Sequence, residues 1–108
     1  MNKVIREGKV AVLYSPGYGA GWYSWNWNHP ECLFDPNVVA MVEAGQHYQI
    51  EAYCKTAYGT ELFPGGAEQL KIEWIPVGTK FRIYEYDGYE SIEYEQGPDW
   101  LVACGVEE

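Results

Sequence analysis

The chain has 108 residues, of which 47% are hydrophobic and 17% aromatic, and its formal net charge is −9. This composition excludes a disordered chain and predicts a single domain over residues 1–108. The excess of acids argues against binding to nucleic acid, which depends on neutralising phosphates, and against an anionic membrane surface.

The cysteines and the apolar segments indicate the cellular compartment in which we expect the protein. Cys32, Cys54 and Cys104 are widely spaced and form no C-x-x-C pair, so we expect no structural zinc site and no other cofactor. No apolar run approaches the roughly 18 residues of a membrane span, and no apolar segment of a signal peptide follows Met1. We therefore expect a cytoplasmic protein with reduced thiols.

The first part of the chain predicts a strand followed by a long loop. Residues 9–14 are an apolar run typical of a buried strand. Val4 and Ile5 are expected to pair with it across a turn at residues 7–9. Residues 15–30 then form a glycine- and aromatic-rich loop, and long ordered loops tend to be functional.

Two helices are predicted in the middle of the chain. Asp35 and Pro36 are a good N-cap and a good first helical residue, and Gly45 is a good terminator. Apolar residues at helical spacing predict a second helix within residues 48–58, which Gly59 ends.

The remainder of the chain alternates with a period of two. Strands are predicted at residues 70–75, 80–86 and 89–95, with a hairpin turn at residues 87–88 and a last strand or short helix at residues 100–104. The fold class is therefore α+β, a single small domain with a mainly antiparallel sheet and about two helices packed on one face.

The segment from Gly17 to Gly21 follows a strand but lacks the spacing of a dinucleotide fingerprint and the Gly-Lys-Ser/Thr of a P-loop. We interpret it as a backbone nest, formed by Gly17, Tyr18, Gly19 and Gly21, whose N–H groups receive a phosphate, carboxylate or carbonyl oxygen. The alternative is a plain multi-turn loop.

Aromatic and amide side chains follow the glycines. If this segment is extended, Tyr23, Trp25 and Trp27 share one face. Trp22, Trp25 and Trp27 are candidates to stack on a base, and the Asn26 amide is a candidate to recognise polar edges. The alternative is that the rings cap the core of the sheet.

The predicted hairpin of residues 80–95 contains an arginine that is a candidate to bind a phosphate. Arg82 shares a strand face with Tyr84, and it is a candidate phosphate clamp, as is Arg6. The alternative for Arg82 is an ion pair with Glu93 or Glu95 across the hairpin. The six acids between residues 85 and 99, Glu90 among them, are interpreted as a solvated surface that opposes aggregation.

Catalysis has little support in the sequence. His29 and His47 are single histidines, and His29 lies too near Cys32 for a familiar Cys–His pair. No hydrolase, metalloprotease or deaminase motif occurs. We expect a protein that is not an enzyme.

Two stretches resemble a family of small phage-encoded proteins. They run from residue 4 to 26, with Ser-Pro-Gly-Tyr-Gly-Ala-Gly-Trp, and from residue 73 to 93, with Glu-Tyr-Asp-Gly-Tyr-Glu-Ser-Ile-Glu. The resemblance implies a phage or prophage origin. In size and in its aromatic, glycine-rich loop the chain is also similar to phage sponges, which sequester the nucleotide messengers of host defence without cleaving them.

These observations yield one leading hypothesis and two alternatives. The leading hypothesis is a phage anti-defence protein that sequesters a cyclic ADP-ribose isomer or a cyclic oligonucleotide, in a pocket shared by a homodimer or larger homo-oligomer. The first alternative is a protein–protein inhibitor whose acidic hairpin occupies a basic host surface. The second is a hydrolase of nucleotide messengers that needs His29 or His47.

Overall fold

The computed structural model describes residues 3–17 and 19–94. It contains helices together with antiparallel strands, so the α+β fold class is confirmed. The helices and strands, in chain order, are β1 Ile5–Arg6, β2 Lys9–Tyr14, α1 Pro36–Glu43, α2 Ile50–Tyr58, β3 Lys71–Pro76, β4 Phe81–Tyr86 and β5 Tyr89–Tyr94.

Strand β2 is the centre of a three-stranded antiparallel sheet of order β1-β2-β3. Ala11, Val12 and Leu13 are consecutive and have no exposed surface. Since successive side chains of a strand point to opposite faces, both faces of β2 must be covered. The predicted N-terminal pairing is confirmed, with Ile5 opposite Val10.

The two helices cover one face of this sheet. Val38 and Val39 of α1 and Ile50 of α2 join Leu13 in one buried apolar cluster. The predicted start of α1 is confirmed, because Asp35 Oδ1 accepts hydrogen bonds from the N–H groups of the next turn, at 2.9 and 3.4 Å.

The β4–β5 hairpin covers the other face. Ile83 and Ile92 of the hairpin pack against Val12 and Ile75 in a second apolar cluster. The single sheet predicted from the sequence is wrong for the described residues, where β4 and β5 form a sheet of their own. The period of two shows which side chains are buried but not which strands pair. The element predicted at residues 100–104 lies outside the described residues.

The loop after β2 is coiled rather than extended. Tyr23–Trp25 and Pro30–Leu33 are single turns of 3₁₀ helix. The condition under which Tyr23, Trp25 and Trp27 would share one face, an extended segment, is therefore not met. A 3₁₀ helix has three residues per turn, so alternate side chains do not point the same way as they do in a strand. Within the described part of the chain, no helix is both long and apolar enough to cross a membrane.

Candidate functional site

A buried carboxylate organises the glycine-rich loop. Glu90 of β5 has no exposed surface. Its Oε1 accepts the N–H of Ser15 at 2.9 Å, and its Oε2 accepts the N–H groups of Trp22 and Ser24 at 2.7 and 2.8 Å and the Ser24 hydroxyl at 2.6 Å. The loop therefore does direct main-chain N–H groups at an anion, but they belong to Ser15, Trp22 and Ser24 rather than to the predicted glycines, and the anion is the chain's own carboxylate. The interpretation of Glu90 as a solvated acid is wrong.

The β4–β5 hairpin and the glycine-rich loop are joined by main-chain hydrogen bonds. The Gly19 N–H donates to the Asp87 carbonyl at 3.1 Å, and the Glu90 N–H donates to the Ser15 carbonyl at 2.7 Å. Gly88 has a φ of 81°, and a Cβ on it would lie 2.0 Å from the Gly19 carbonyl oxygen. Glycine is therefore required at position 88 for both reasons.

The other glycines of the motif also serve close packing. A Cβ on Gly17 would lie 2.2 Å from the Gln69 side chain, and one on Gly21 would lie 2.4 Å from the Ser24 hydroxyl. The Glu90 carboxylate binds the N–H groups of Ser15, Trp22 and Ser24 rather than those of the predicted glycines. Tyr18, also predicted here, lies outside the described residues.

Trp22 belongs to the core. Its ring has no exposed surface, and its indole N–H donates to the Cys32 carbonyl at 2.9 Å. In this structure the ring offers no face to a ligand, so the prediction that Trp22 stacks on a base is wrong. The alternative, that some of these rings fill the core, holds for this residue.

Asn26 ties the loop to the segment before β3. Its Nδ2 donates to the carbonyls of Trp22 and Phe63, at 2.7 and 2.9 Å, and its Oδ1 accepts the Phe63 N–H at 2.6 Å. The side chain is buried, and both of its amide protons are used. Asn26 is therefore positioned to fix the main chain around Trp25 and Phe63 rather than to meet a ligand.

The aromatic patch, defined as Trp25, Phe63 and Tyr48, lies on the surface beside this tie. The rings of Trp25 and Phe63 stack with centroids 5.4 Å apart and planes 20° apart. The exposed fractions of the three residues are 44%, 50% and 72%. Trp27, two residues beyond Trp25, is 72% exposed. Of the predicted tryptophans, Trp25 and Trp27 are thus the accessible ones.

A cavity of about 190 Å³ adjoins the aromatic patch. Its lining includes two rings of the patch, two carboxylates and a histidine, namely Tyr48, Phe63, Glu51, Glu68 and His47. His47 Nε2 lies 3.0 Å from the Leu70 carbonyl oxygen, so this nitrogen carries the proton in that contact. The rim of the cavity is therefore aromatic and acidic.

The arginines predicted to bind phosphate are paired with carboxylates. Arg82 Nε donates to Glu93 at 2.7 Å, and Arg6 donates to both carboxylate oxygens of Glu43 at 2.6 and 3.0 Å. The intra-hairpin alternative for Arg82 is therefore confirmed. Tyr84 is exposed and, like Arg82, points to the hairpin face opposite Ile83, which packs inward.

The groups considered for catalysis are buried or engaged. Burial, with the nearby Glu90, raises the pKa of the Cys32 thiol far above its ordinary value, and burial raises that of Cys54 to about 11. Neither thiol is an activated nucleophile. His29 Nε2 lies 3.2 Å from a Glu61 oxygen but lacks the angle of a hydrogen bond. Among the described residues, no group of three side chains is arranged to hold a metal ion.

Asp35 is a second buried carboxylate, and the sequence predicted only its role as the N-cap of α1. Beyond capping α1, Asp35 accepts the hydroxyls of Tyr53 and Tyr58, at 2.8 and 2.7 Å. Burial, followed by this hydrogen bond, raises the pKa of Tyr58 well above its ordinary value. These contacts fasten α2 to the start of α1, which fixes the wall of the cavity that α2 supplies.

No protein-family model, curated protein or solved structure matches the chain.

Proposed function

We propose that the protein is a non-catalytic binding protein, which occupies a basic surface of a partner protein through the aromatic patch and the carboxylates beside it. The observation that carries this proposal is the exposed Trp25–Phe63 stack next to a cavity bordered by Glu51 and Glu68. Aromatic side chains contribute a large share of the energy in protein interfaces.

The charge of the chain supports a basic partner. With a formal net charge of −9, the chain attracts cationic surfaces and repels polyanions. The groups predicted to neutralise phosphates are already used, since Glu90 fills the nest and Arg6 and Arg82 pair with glutamates. A phosphate ligand at these predicted groups would have to displace one of the carboxylates.

Sequestration of a nucleotide signal is the second candidate function, and the flat, exposed Trp25–Phe63 pair favours it. Base stacking on such a ring contributes about 1–3 kcal/mol. The cavity of about 190 Å³ is smaller than the roughly 300–1,000 Å³ of sites for drug-sized ligands. A whole nucleotide messenger would therefore extend beyond this cavity, and a second copy of the chain, as in the expected homodimer, would enclose the remainder.

With a phage origin, both candidate functions, binding to a protein partner and sequestration of a nucleotide, would act against host defence. On the resemblance to small phage proteins, the partner is a host defence factor with a basic functional surface, and binding takes place in the host cytoplasm. A hydrolase finds less support, because the two thiols in the described part of the chain, those of Cys32 and Cys54, are buried and His47 is bonded to a carbonyl.

The experiment compares wild type, Trp25→Ala and Trp27→Ala as baits for host proteins. A partner retained by wild type and by Trp27→Ala, but not by Trp25→Ala, is purified and its Kd is measured as salt rises from about 0.05 to about 0.5 M. The proposal predicts affinity that weakens steeply with salt and with loss of Trp25.

The same proteins are tested against a panel of nucleotide messengers by thermal shift, with recovery of the ligand after heating. A stabilising messenger released intact, with no protein partner that depends on Trp25, would replace the proposal with sequestration. A messenger released in altered form would establish a hydrolase instead.

A further inference from the structure

We infer that the cavity beside the aromatic patch is a binding site for the guanidinium group of an arginine side chain. Its lining combines the rings of Tyr48 and Phe63 with the carboxylates of Glu51 and Glu68. This assignment rests on the proposed function in one respect, since it names the side chain that a basic partner would insert.

The aromatic walls suit a planar cation. A guanidinium stacks on the face of an aromatic ring and is attracted by its negative charge distribution. The ring of Phe63 stacks on that of Trp25, and the Phe63 main chain is hydrogen-bonded by Asn26. Such a fixed ring loses little freedom when a ligand binds.

The two carboxylates are not paired with a cation of the described residues. Glu51 lies in the first turn of α2 and Glu68 in the 3₁₀ turn Ala67–Gln69, and both are exposed. Neither forms a hydrogen bond or an ion pair with another residue of the ranges 3–17 and 19–94. No lysine or arginine is among the described residues that line the cavity. A guanidinium has five donors, so it can bind two carboxylates at once.

The size of the cavity distinguishes a side chain from a free ligand. About 190 Å³ is below the roughly 300–1,000 Å³ typical of drug-sized ligands. Arginine suits the site better than lysine, because an ammonium cannot both stack on a ring and bind a carboxylate in a bidentate way.

The test titrates the full chain with the capped tripeptide Gly-Arg-Gly and with its uncharged isostere Gly-citrulline-Gly, followed by amide chemical shifts in NMR spectra. We expect the arginine peptide to shift residues 47–51 and 63–68 in a saturable manner, and the citrulline peptide to leave them unchanged. Equal shifts with both peptides would overturn the assignment.

Matched variants separate a local site from the net charge. Glu51→Gln and Glu68→Gln each remove one charge at the cavity, and each is expected to weaken the arginine peptide roughly threefold, in the range of exposed ion pairs. Glu7→Gln removes the same charge from the β1–β2 turn, which lies at the other end of β2 from the loop that follows Tyr14, and should change nothing. Equal effects of all three variants would overturn the assignment.

The failure of this inference is distinguishable from the failure of the proposed function. A protein partner that needs Trp25 but tolerates both Glu51→Gln and Glu68→Gln overturns the arginine site alone. Saturable binding of the arginine peptide, without any partner that depends on Trp25, overturns the proposed function alone. Thermal melting of each variant confirms that it is folded.

Discussion

The two halves of the loop after β2 both contain tryptophan but have opposite structural roles. In the first half, residues 15–24, the N–H groups of Ser15, Trp22 and Ser24 bind Glu90, and the ring of Trp22 is buried in the core. Residues 25–28 turn outward, and Trp25 and Trp27 are exposed. Tryptophan therefore serves packing in the first half and is available for surface contact in the second.

The two halves differ in how their main chain is hydrogen-bonded. The first half donates three N–H groups to one carboxylate, and buried polar groups must be satisfied in this way. In the second half the main chain is tied through Asn26, which leaves the neighbouring rings outside. The predictions below test each half separately.

The largest effect is expected for Glu90→Ala. The variant leaves three main-chain N–H groups and the Ser24 hydroxyl without their acceptor. Each unsatisfied group costs about 1–3 kcal/mol, so a loss of at least about 4 kcal/mol is expected in the free energy of unfolding. Chemical denaturation measures it, with Glu7→Ala as the control for lost charge. Near-wild-type stability of Glu90→Ala would remove the carboxylate from its organising role.

The next effect is expected for Gly88→Ala. The left-handed backbone costs about 1–2 kcal/mol for alanine, and a Cβ placed 2.0 Å from the Gly19 carbonyl oxygen must push the loop from the hairpin. We expect a total loss of about 3 kcal/mol. Gly8→Ala is the matched control, since Gly8 has a φ of 77° but nothing within 4 Å of the added Cβ. Equal thermal shifts of the two variants would show that the loop does not approach the hairpin this closely.

Asn26→Ala tests the boundary between the halves. It removes three hydrogen bonds and leaves the N–H and carbonyl of Phe63 without this partner. A loss of about 2–3 kcal/mol is expected from denaturation. The emission of Trp25 should also change, because its stacking on Phe63 is no longer fixed. Asn28→Ala, at an exposed position, is expected to have neither effect.

A smaller effect is expected at alkaline pH. Burial, followed by the hydrogen bond to Glu73, raises the pKa of Tyr94 from 10.0 to about 12. The folded state thus favours the neutral phenol, so this contribution is complete below about pH 10 and is lost as the pH rises through about 12. Denaturation at several alkaline pH values should show this decline, and Tyr94→Phe should reduce it. Cys54, whose pKa burial raises from 9.0 to about 11, adds a similar decline in the free energy of unfolding between about pH 9 and about pH 11.

A modest change in stability is expected for Trp25→Ala, together with the largest change in binding. Trp25 is 44% exposed and stacks on Phe63, so its removal should cost about 1–2 kcal/mol of stability. Affinity for the partner should fall about tenfold or more. Trp27→Ala should leave stability unchanged. Equal affinity of Trp25→Ala and wild type would remove the aromatic patch from the contact surface.

Local signals made most of the fold predictable. The cap at Asp35, the positive φ of 71° at both Gly45 and Gly59, and the hairpin turn at Asp87 and Gly88 all occur where the residue types predict them. The pairing of strands was not predictable in the same way. Whether β4 joins β3 or packs across β2 depends on contacts between distant residues, which periodicity does not contain.

The site was less predictable, because the sequence pattern was interpreted by residue type. Glu90 shares its strand face with Ile92 and Tyr94, which pack inward. That position in the alternation was a signal that the carboxylate is buried. Phe63 and Tyr48 carried no such signal, since their approach to the Trp25 surface depends on hydrogen bonds from Asn26 and on the packing of α2.

Amide chemical shifts of Ser15, Trp22 and Ser24 provide the most direct test, recorded while the partner and the panel of nucleotide messengers are added in turn. If Glu90 closes the nest and the aromatic patch makes the contact, these three amides stay unchanged and the Trp25 indole moves with the true ligand. If the three amides move when a messenger is added, its phosphate has displaced Glu90, and the glycine-rich half of the loop is the binding site.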